Sequence, residues 1–406
     1  MKILYSAFAC DPYIGSEAQC GWSWPMAMRG FNEVYLITRS ENREPIERYM
    51  NENRIGNITV FYHDIPSWMN MYYKKKRLYF LYYILWQRTA LHIARRLQRQ
   101  YHFDYIQHIT LGDFRVIGPL WRLEPKFIFG PVGGAQTTPR VFNHYIWDET
   151  SKEKLREWIN RIVMINPFYR RALNRSYRVF AANRETLSLL QKSMKHPEKC
   201  MLLTENGIQT KKILNQKKTD KASVTTILWA GRLITRKGIA FLLETIGQVK
   251  TSKPFMLKLV GDGPQMRKLK DLSSRLNLED RVAFMGKVSY EQMNQIYMES
   301  DFFVFPSLRE TTGTVLFEAM SHGLPVVSFN QNGADLLIDE TCGRKIDIHQ
   351  SLEGVKKDFA HAVEELIEKP ETRLSLGENA YRKIKDHYTW EQKCQTFEQF
   401  MTDERV

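Results

Sequence analysis

Apolar residues recur along the chain in short runs closed by glycine, proline or asparagine, and stretches with helical spacing lie between them. The runs at 2–8, 33–38, 58–62, 103–108, 177–182 and 199–203 predict strands in the first half, with a helix at 18–28. A second series, 225–230, 255–260, 281–284, 301–305 and 325–328, alternates with helical stretches at 239–249 and 290–299, and the tail at 352–387 is helical. Strands that alternate with helices in this way predict parallel sheets covered on both faces. Between the two series lies a polar run, 209–223, with five lysines and no glycine or proline. It marks the junction of two α/β domains, 1–208 and 209–387, and a last segment, 388–406, is placed to cross back to the first.

Length and composition agree with that division. A chain of 406 residues exceeds one ordinary domain. Its 43% hydrophobic and 12% aromatic content excludes a disordered polymer. The formal charge of +14 implies an anionic partner, whether nucleic acid, lipid or phosphorylated substrate. Five scattered cysteines without a C-x-x-C pair point to a reducing compartment and away from a structural zinc site. No apolar run reaches the ~20 residues of a membrane span, so a soluble or peripheral cytoplasmic protein is expected.

Two stretches concentrate the charge. Between Asp64 and Asp104 there is no acid, and residues 72–100 set Lys74, Lys75, Lys76 and Arg77 beside Tyr, Phe and Trp. That pattern suits a segment resting on an anionic membrane; it equally suits aromatics packed in a core beneath a solvated basic face. Residues 151–178 form a second basic helical stretch with Arg156, Arg161, Arg170, Arg171, Arg175 and Arg178.

The candidate chemistry lies in 305–325. An apolar run ends at Pro306, and a helix starts near Thr312 or Gly313, so Glu310 falls in the loop and Glu318 about one turn inside the helix. Free N–H groups at such a start suit a phosphate, and Gly313 admits close backbone approach. At roughly 1.5 Å per residue, Glu318 lies about 6–8 Å along the axis, which is the reach from a diphosphate to its ribose. The same spacing also fits ordinary acids on a surface helix. A strand, Gly231, Arg232, Arg236, Lys237, Gly238 and then a helix supply cations for a diphosphate at a second turn. In the first half, Gly15 and Ser16 precede a helix after the first strand, His108 ends the strand 103–108, and Gly130, Gly133 and Gly134 form a turn after another strand, followed by Gln136.

The stretch with Pro306-Ser307, Glu310, Gly313, Glu318-Ala319-Met320 and Gly323-Leu324-Pro325 resembles the Glu-x7-Glu motif of the retaining glycosyltransferases of family 4. Gly231-Arg232 through Arg236-Lys237-Gly238 is similar to the donor-phosphate loop of that family, and His108 to its strand-end histidine. One departure is Thr311-Thr312-Gly313-Thr314, where many members carry a Gly-Phe-Gly-like segment.

The resemblance implies a GT-B fold, two Rossmann-like domains facing across a cleft, and transfer of a sugar from a nucleotide diphosphate to an acceptor hydroxyl with no metal or other cofactor. In that reading Arg232 and Lys237 stabilise the leaving diphosphate, helped by backbone near Thr312, Gly313 and Thr314 and by the Gly15–Ser16 loop. Glu318 binds ribose, Glu310 the sugar, and His108 orients the sugar. The partners implied are a nucleotide sugar, a saccharide or lipid-linked saccharide acceptor of cell-surface polysaccharide, and an anionic membrane, with no nucleic acid. Rival readings are a sugar phosphorylase, a nucleic-acid-binding protein and a non-catalytic nucleotide-sugar-binding partner of another transferase.

Overall fold

The computed structural model describes residues 1–15, 17–75, 78–146, 149–210 and 223–402. Ser16, Lys76, Arg77 and most of the polar run at 209–223 therefore lie outside the described residues. The chain divides into two units. The first comprises Met1–Ala135, Trp158–Asn206 and Lys393–Val406; the second comprises Gln136–Glu157 and Gly207–Gln392.

The first unit is built on seven parallel strands: β1 (Lys2–Ala7), β2 (Glu33–Thr38), β3 (Ile58–Tyr62), β4 (Tyr105–Thr110), β5 (Lys126–Val132), β6 (Arg178–Ala181) and β7 (Cys200–Leu202). Their spatial order is β3-β2-β1-β4-β5-β6-β7. Its helices are α1 (Glu17–Met28), α2 (Arg43–Glu52), α3 (Ser67–Lys75), α4 (Tyr79–Tyr101), the end of α5 (Thr150–Ile165), α6 (Pro167–Arg175) and α7 (Arg184–Gln191). Every residue of β4 and β6 is buried, as expected of strands covered on both faces.

The second unit repeats the plan with six parallel strands: β8 (Thr225–Ala230), β9 (Phe255–Val260), β10 (Val282–Gly286), β11 (Phe302–Phe305), β12 (Val326–Phe329) and β13 (Gly343–Ile346). They lie in the order β10-β9-β8-β11-β12-β13. Its helices are α8 (Ile239–Gln248), α9 (Met266–Arg275), α10 (Tyr290–Glu299), α11 (Thr314–Ser321), α12 (Asn332–Leu337), α13 (Leu352–Glu368) and α14 (Pro370–His387); α15 (Trp390–Thr402) begins here. In both sheets the order reverses at the first strand, between β1 and β4 and between β8 and β11. Such switch points are where open α/β sheets hold ligands, outside the carboxyl ends of the strands.

Two features depart from the sequence expectations, and a third bears on a reading the sequence left open. Residues 136–157 pack with the second unit instead of the first: Phe142 lies 4.7 Å from Phe329, centroid to centroid, and the Tyr145 hydroxyl donates to Glu244 at 2.6 Å. Gly130 lies inside β5, not in a turn after it. Its φ of +105° and the 2.4 Å from a hypothetical Cβ to the Phe180 carbonyl oxygen explain why glycine stands there. In the 72–100 stretch, Tyr82, Tyr83, Trp86, Ala90, Ala94 and Leu97 are buried in the first unit's core, while Leu78, Tyr79, Phe80 and Leu81 at the start of α4 remain exposed, as do Trp68 and Met71 of α3.

The C-terminal end of α15 returns to the first unit, where Phe397 packs on Trp24 and Phe180, and the Arg178 side chain donates to the Phe400 carbonyl at 3.1 Å. All five cysteines are free and buried. No described helix is long and apolar enough to cross a membrane.

Candidate functional site

The site is assembled at the switch point of the second sheet. β8 ends at Ala230, and the chain turns through Gly231 (φ +153°) and Thr235–Lys237 to Gly238, which starts α8 with φ +70°. A Cβ on Gly238 would sit 1.9 Å from the Pro306 carbonyl oxygen, so only glycine lets this turn press against the end of β11. The contact is stitched by the Leu308 amide, which donates to the Arg236 carbonyl at 2.9 Å.

From that turn Lys237 and Arg236 both donate to Glu310 Oε2, the Arg236 bond measuring 3.0 Å. Arg236 also donates to the Arg309 carbonyl at 3.1 Å. Burial pushes the Glu310 carboxyl up, but the charges of Lys237 and Arg236 outweigh it and hold the group below its ordinary range. Glu310 is therefore an anion already seated on the cations that the sequence assigns to a phosphate.

The loop that carries Glu310 is held from several sides. Gln331 donates to the carbonyls of Ser307 and Leu308 at 3.1 and 3.2 Å, and Asn332 accepts from the Glu310 amide at 3.4 Å. From the 136–157 segment, Gln136 donates to the Thr311 hydroxyl at 2.8 Å, and Glu153 accepts from Arg309 in an ion pair in which both side chains are largely buried. Gly313 (φ +89°) then caps α11, with a hypothetical Cβ 2.8 Å from the Phe305 ring. Glu318, one turn inside α11, accepts from the Tyr297 hydroxyl at 2.9 Å, and Tyr297 stacks on His322.

The structure thus brings Lys237, Glu310, Gly313, Thr314 and Glu318 onto one set of linked elements, with Arg232 exposed just beyond β8. Thr312 is fully buried, so its side chain faces protein. His108 and Gly15 belong to the first unit. Gly15 lies in an exposed loop where a Cβ would meet nothing within 4 Å, so no close approach within the chain requires glycine. Beside it, Glu17 of α1 accepts from the Gly112 amide at 2.6 Å, which puts a resident carboxylate at that helix start.

His108 does not end its strand, which runs on to Thr110. The imidazole is 1% exposed, stacks on Phe129 and bonds the Tyr83 hydroxyl at 2.7 Å through Nε2. Burial lowers its pKa to about 4, with the Leu111 backbone acting the other way. The unfolded value is near 6.5, so the neutral form stabilises the fold above pH 6.5. That contribution is lost as the pH falls toward 4, by about 3 kcal/mol over the window. Urea midpoints between pH 7 and 4 are expected to fall with acid, and His108→Gln should remove about one proton from the slope; equal slopes would show that His108 titrates normally.

Sequence reasoning places Arg236 among the cations of this turn without a role of its own, and it missed three contributors. Tyr297, Glu153 and Arg309 carry no local signal, because each meets its partner only across the fold.

Comparison with known proteins extends this picture. The chain is similar over its whole length to sucrose-phosphate synthase of Thermosynechococcus elongatus (TM-score 0.65, 17% identity, 98% of each chain). It is likewise similar to Anabaena HepE solved in complex with UDP (TM-score 0.65, 16% identity, 99% of this chain and 100% of the other). Two parallel doubly wound units with this likeness give the chain the GT-B fold. Residues 210–383 match the family model described as glycosyl transferases group 1.

Among curated proteins, the alpha-D-kanosaminyltransferase of Streptomyces kanamyceticus is 30% identical over 156 residues, 38% of this chain and 39% of that protein. The lipopolysaccharide core biosynthesis glycosyltransferase LpsE of Rhizobium meliloti is 27% identical over 172 residues, 42% and 47% respectively. The match spans less than half the length of these two relatives.

Proposed function

We propose that the chain is a retaining glycosyltransferase of family 4 that moves a sugar from a nucleotide diphosphate to an acceptor hydroxyl, without a metal ion. The observation that carries this reading is the seating of Glu310 on Lys237 and Arg236, with Glu318 one turn inside the helix that follows. Those cations supply the countercharge that a departing diphosphate needs, and they stand in a prearranged turn, which lets such charge act without reorganisation. Arg232 adds an exposed fork beside them. Glu310, kept ionised by its neighbours, accepts from sugar hydroxyls; Glu318, set by Tyr297, accepts from the ribose. Among the described residues no carboxylate stands out as a covalent nucleophile, so attack on the donor's own face, with a phosphate oxygen taking the acceptor proton, suits them.

The acceptor in this proposal is a lipid-linked saccharide of a cell-surface polymer, and the protein acts at the inner face of the cell membrane. The relation to LpsE and the apolar, base-flanked start of α4 support it. A second reading, a nucleotide-sugar-binding partner without turnover, is favoured only by the burial of His108 against Tyr83; retained donor binding with no transfer to any acceptor would establish it.

The test is a thermal-shift panel of nucleotide diphosphates and nucleotide sugars, with and without EDTA, on the native protein and on Glu318→Ala. A ligand at 100 times its Kd adds about 2.7 kcal/mol to native stability. The expected result is a shift with one base, unchanged by EDTA and lost in Glu318→Ala. No shift with any compound overturns the donor-site reading.

A further inference from the structure

The last turns of α5 are inverted relative to an ordinary surface helix. The side packed on the first unit is partly polar: Asn160 accepts from Arg115 Nε at 2.8 Å, and Met164 lies against the Ser193 hydroxyl. The opposite side carries Trp158, Ile159, Ile162 and Ile165, spaced as one helical stripe, and all of them face solvent. Trp158 is 59% exposed and Ile165 74%. Asn166 then caps α6 through the amides of Phe168 and Tyr169, with Pro167 in its first turn, and the tight turn sets Phe168, 73% exposed, directly after the stripe. Isolated exposed apolar residues need no explanation, but five large ones in an eleven-residue stretch do.

The charges around this row decide what covers it. Arg161, Arg170, Arg171 and Arg175 are exposed; one exposed acid, Glu157, precedes the row, and residues 158–175 contain none. The hydrophobic core of a protein interface is depleted of charge, whereas an apolar stripe with tryptophan, bordered by four arginines against a single acid, is the composition of a helix lying in the headgroup layer of an anionic bilayer. We infer that the α5–α6 face of the first unit, from Trp158 to Phe168 with its flanking arginines, is a docking surface for an anionic lipid membrane. It deepens the membrane part of the function proposed above and rests on residues outside 72–100. Four arginines set the charge attraction and five apolar side chains the depth of insertion.

The experiment is vesicle sedimentation of the full chain with phosphatidylglycerol-containing and pure phosphatidylcholine vesicles, comparing native protein with Trp158→Ser/Ile165→Ser/Phe168→Ser and with Arg170→Gln/Arg171→Gln. Native protein is expected to bind the anionic vesicles, less so in high salt. The apolar variant should bind at least about tenfold more weakly. The arginine variant should lose mainly the salt-sensitive part.

All the altered side chains are exposed, so melting temperatures should stay native; the nucleotide shift, measured alongside, reports the donor site independently. Native binding that survives the apolar substitutions overturns the α5–α6 surface while leaving a membrane role to 72–100. Equal binding to neutral vesicles, no binding to either, or a native dimer by light scattering that the apolar variant abolishes also overturns it. Loss of the nucleotide shift in native protein would sink the transferase reading without touching the lipid result.

Discussion

Lys237→Ala is expected to lower kcat for transfer from the nucleotide sugar by about 10²–10³-fold, the cost of deleting one prearranged charge donor from a transition state. The ammonium is held between a turn that only Gly238 can form and the carboxylate of Glu310. Donor diphosphate gains charge as the glycosidic bond breaks, so the deletion should fall more on kcat than on KM. A second readout follows from the carboxylate. Lys237 is the largest influence holding the Glu310 pKa below its ordinary range against burial, ahead of Arg236. Removing it lets that pKa rise, so the variant should lose activity at a higher pH than the native protein on the acid side. Lys237→Arg, which keeps the charge with a different shape, should hold the native acid limb and recover only part of kcat. A kcat within threefold of native for Lys237→Ala would remove Lys237 from the catalytic role.

Glu153→Ala is expected to destabilise the protein by about 3 kcal/mol, because it strands the largely buried Arg309 guanidinium without its partner. Burial already lowers the Arg309 pKa, with Glu153 acting in the opposite sense. Arg309 adjoins Glu310, and its carbonyl is bonded by Arg236. The variant should therefore also weaken the nucleotide shift, through the loop and without touching the ligand. Arg309→Ala and the double variant complete a cycle in urea. The double variant should be more stable than Glu153→Ala alone, and strictly additive effects would show that the pair is not coupled.

Much of the fold was legible in the chain because it depends on local periodicity. Apolar runs such as 301–305 and 325–328 read as strands buried on both faces, and the strands there, Phe302–Phe305 and Val326–Phe329, are. The glycine turns at the two helix starts were legible for a related reason: a helix start that could take a phosphate needs glycine and charged residues at fixed short spacings, so Gly238 declares itself in one stretch and Glu310, Gly313 and Glu318 in another. His108 was harder. A histidine in a strand gives no local indication of whether it faces ligand space or, as here, a tyrosine hydroxyl and a phenyl ring.

The sequence by itself determined the alternation of strands and helices, the restart of the pattern after the polar run, and the elements that carry the cations and the two glutamates. These follow from backbone propensity, helical and strand period, and glycine's freedom, all of which act over a few residues. Only the tertiary structure decided that 136–157 packs with the second unit, that Glu153 and Gln136 brace the loop of Glu310, and that Tyr297 sets Glu318. It also decided which side of α5 is buried, turning an apolar stripe outward that the 3.6 period alone would assign to the core. Period says that a stripe exists; which neighbour covers it depends on contacts between residues far apart in the chain.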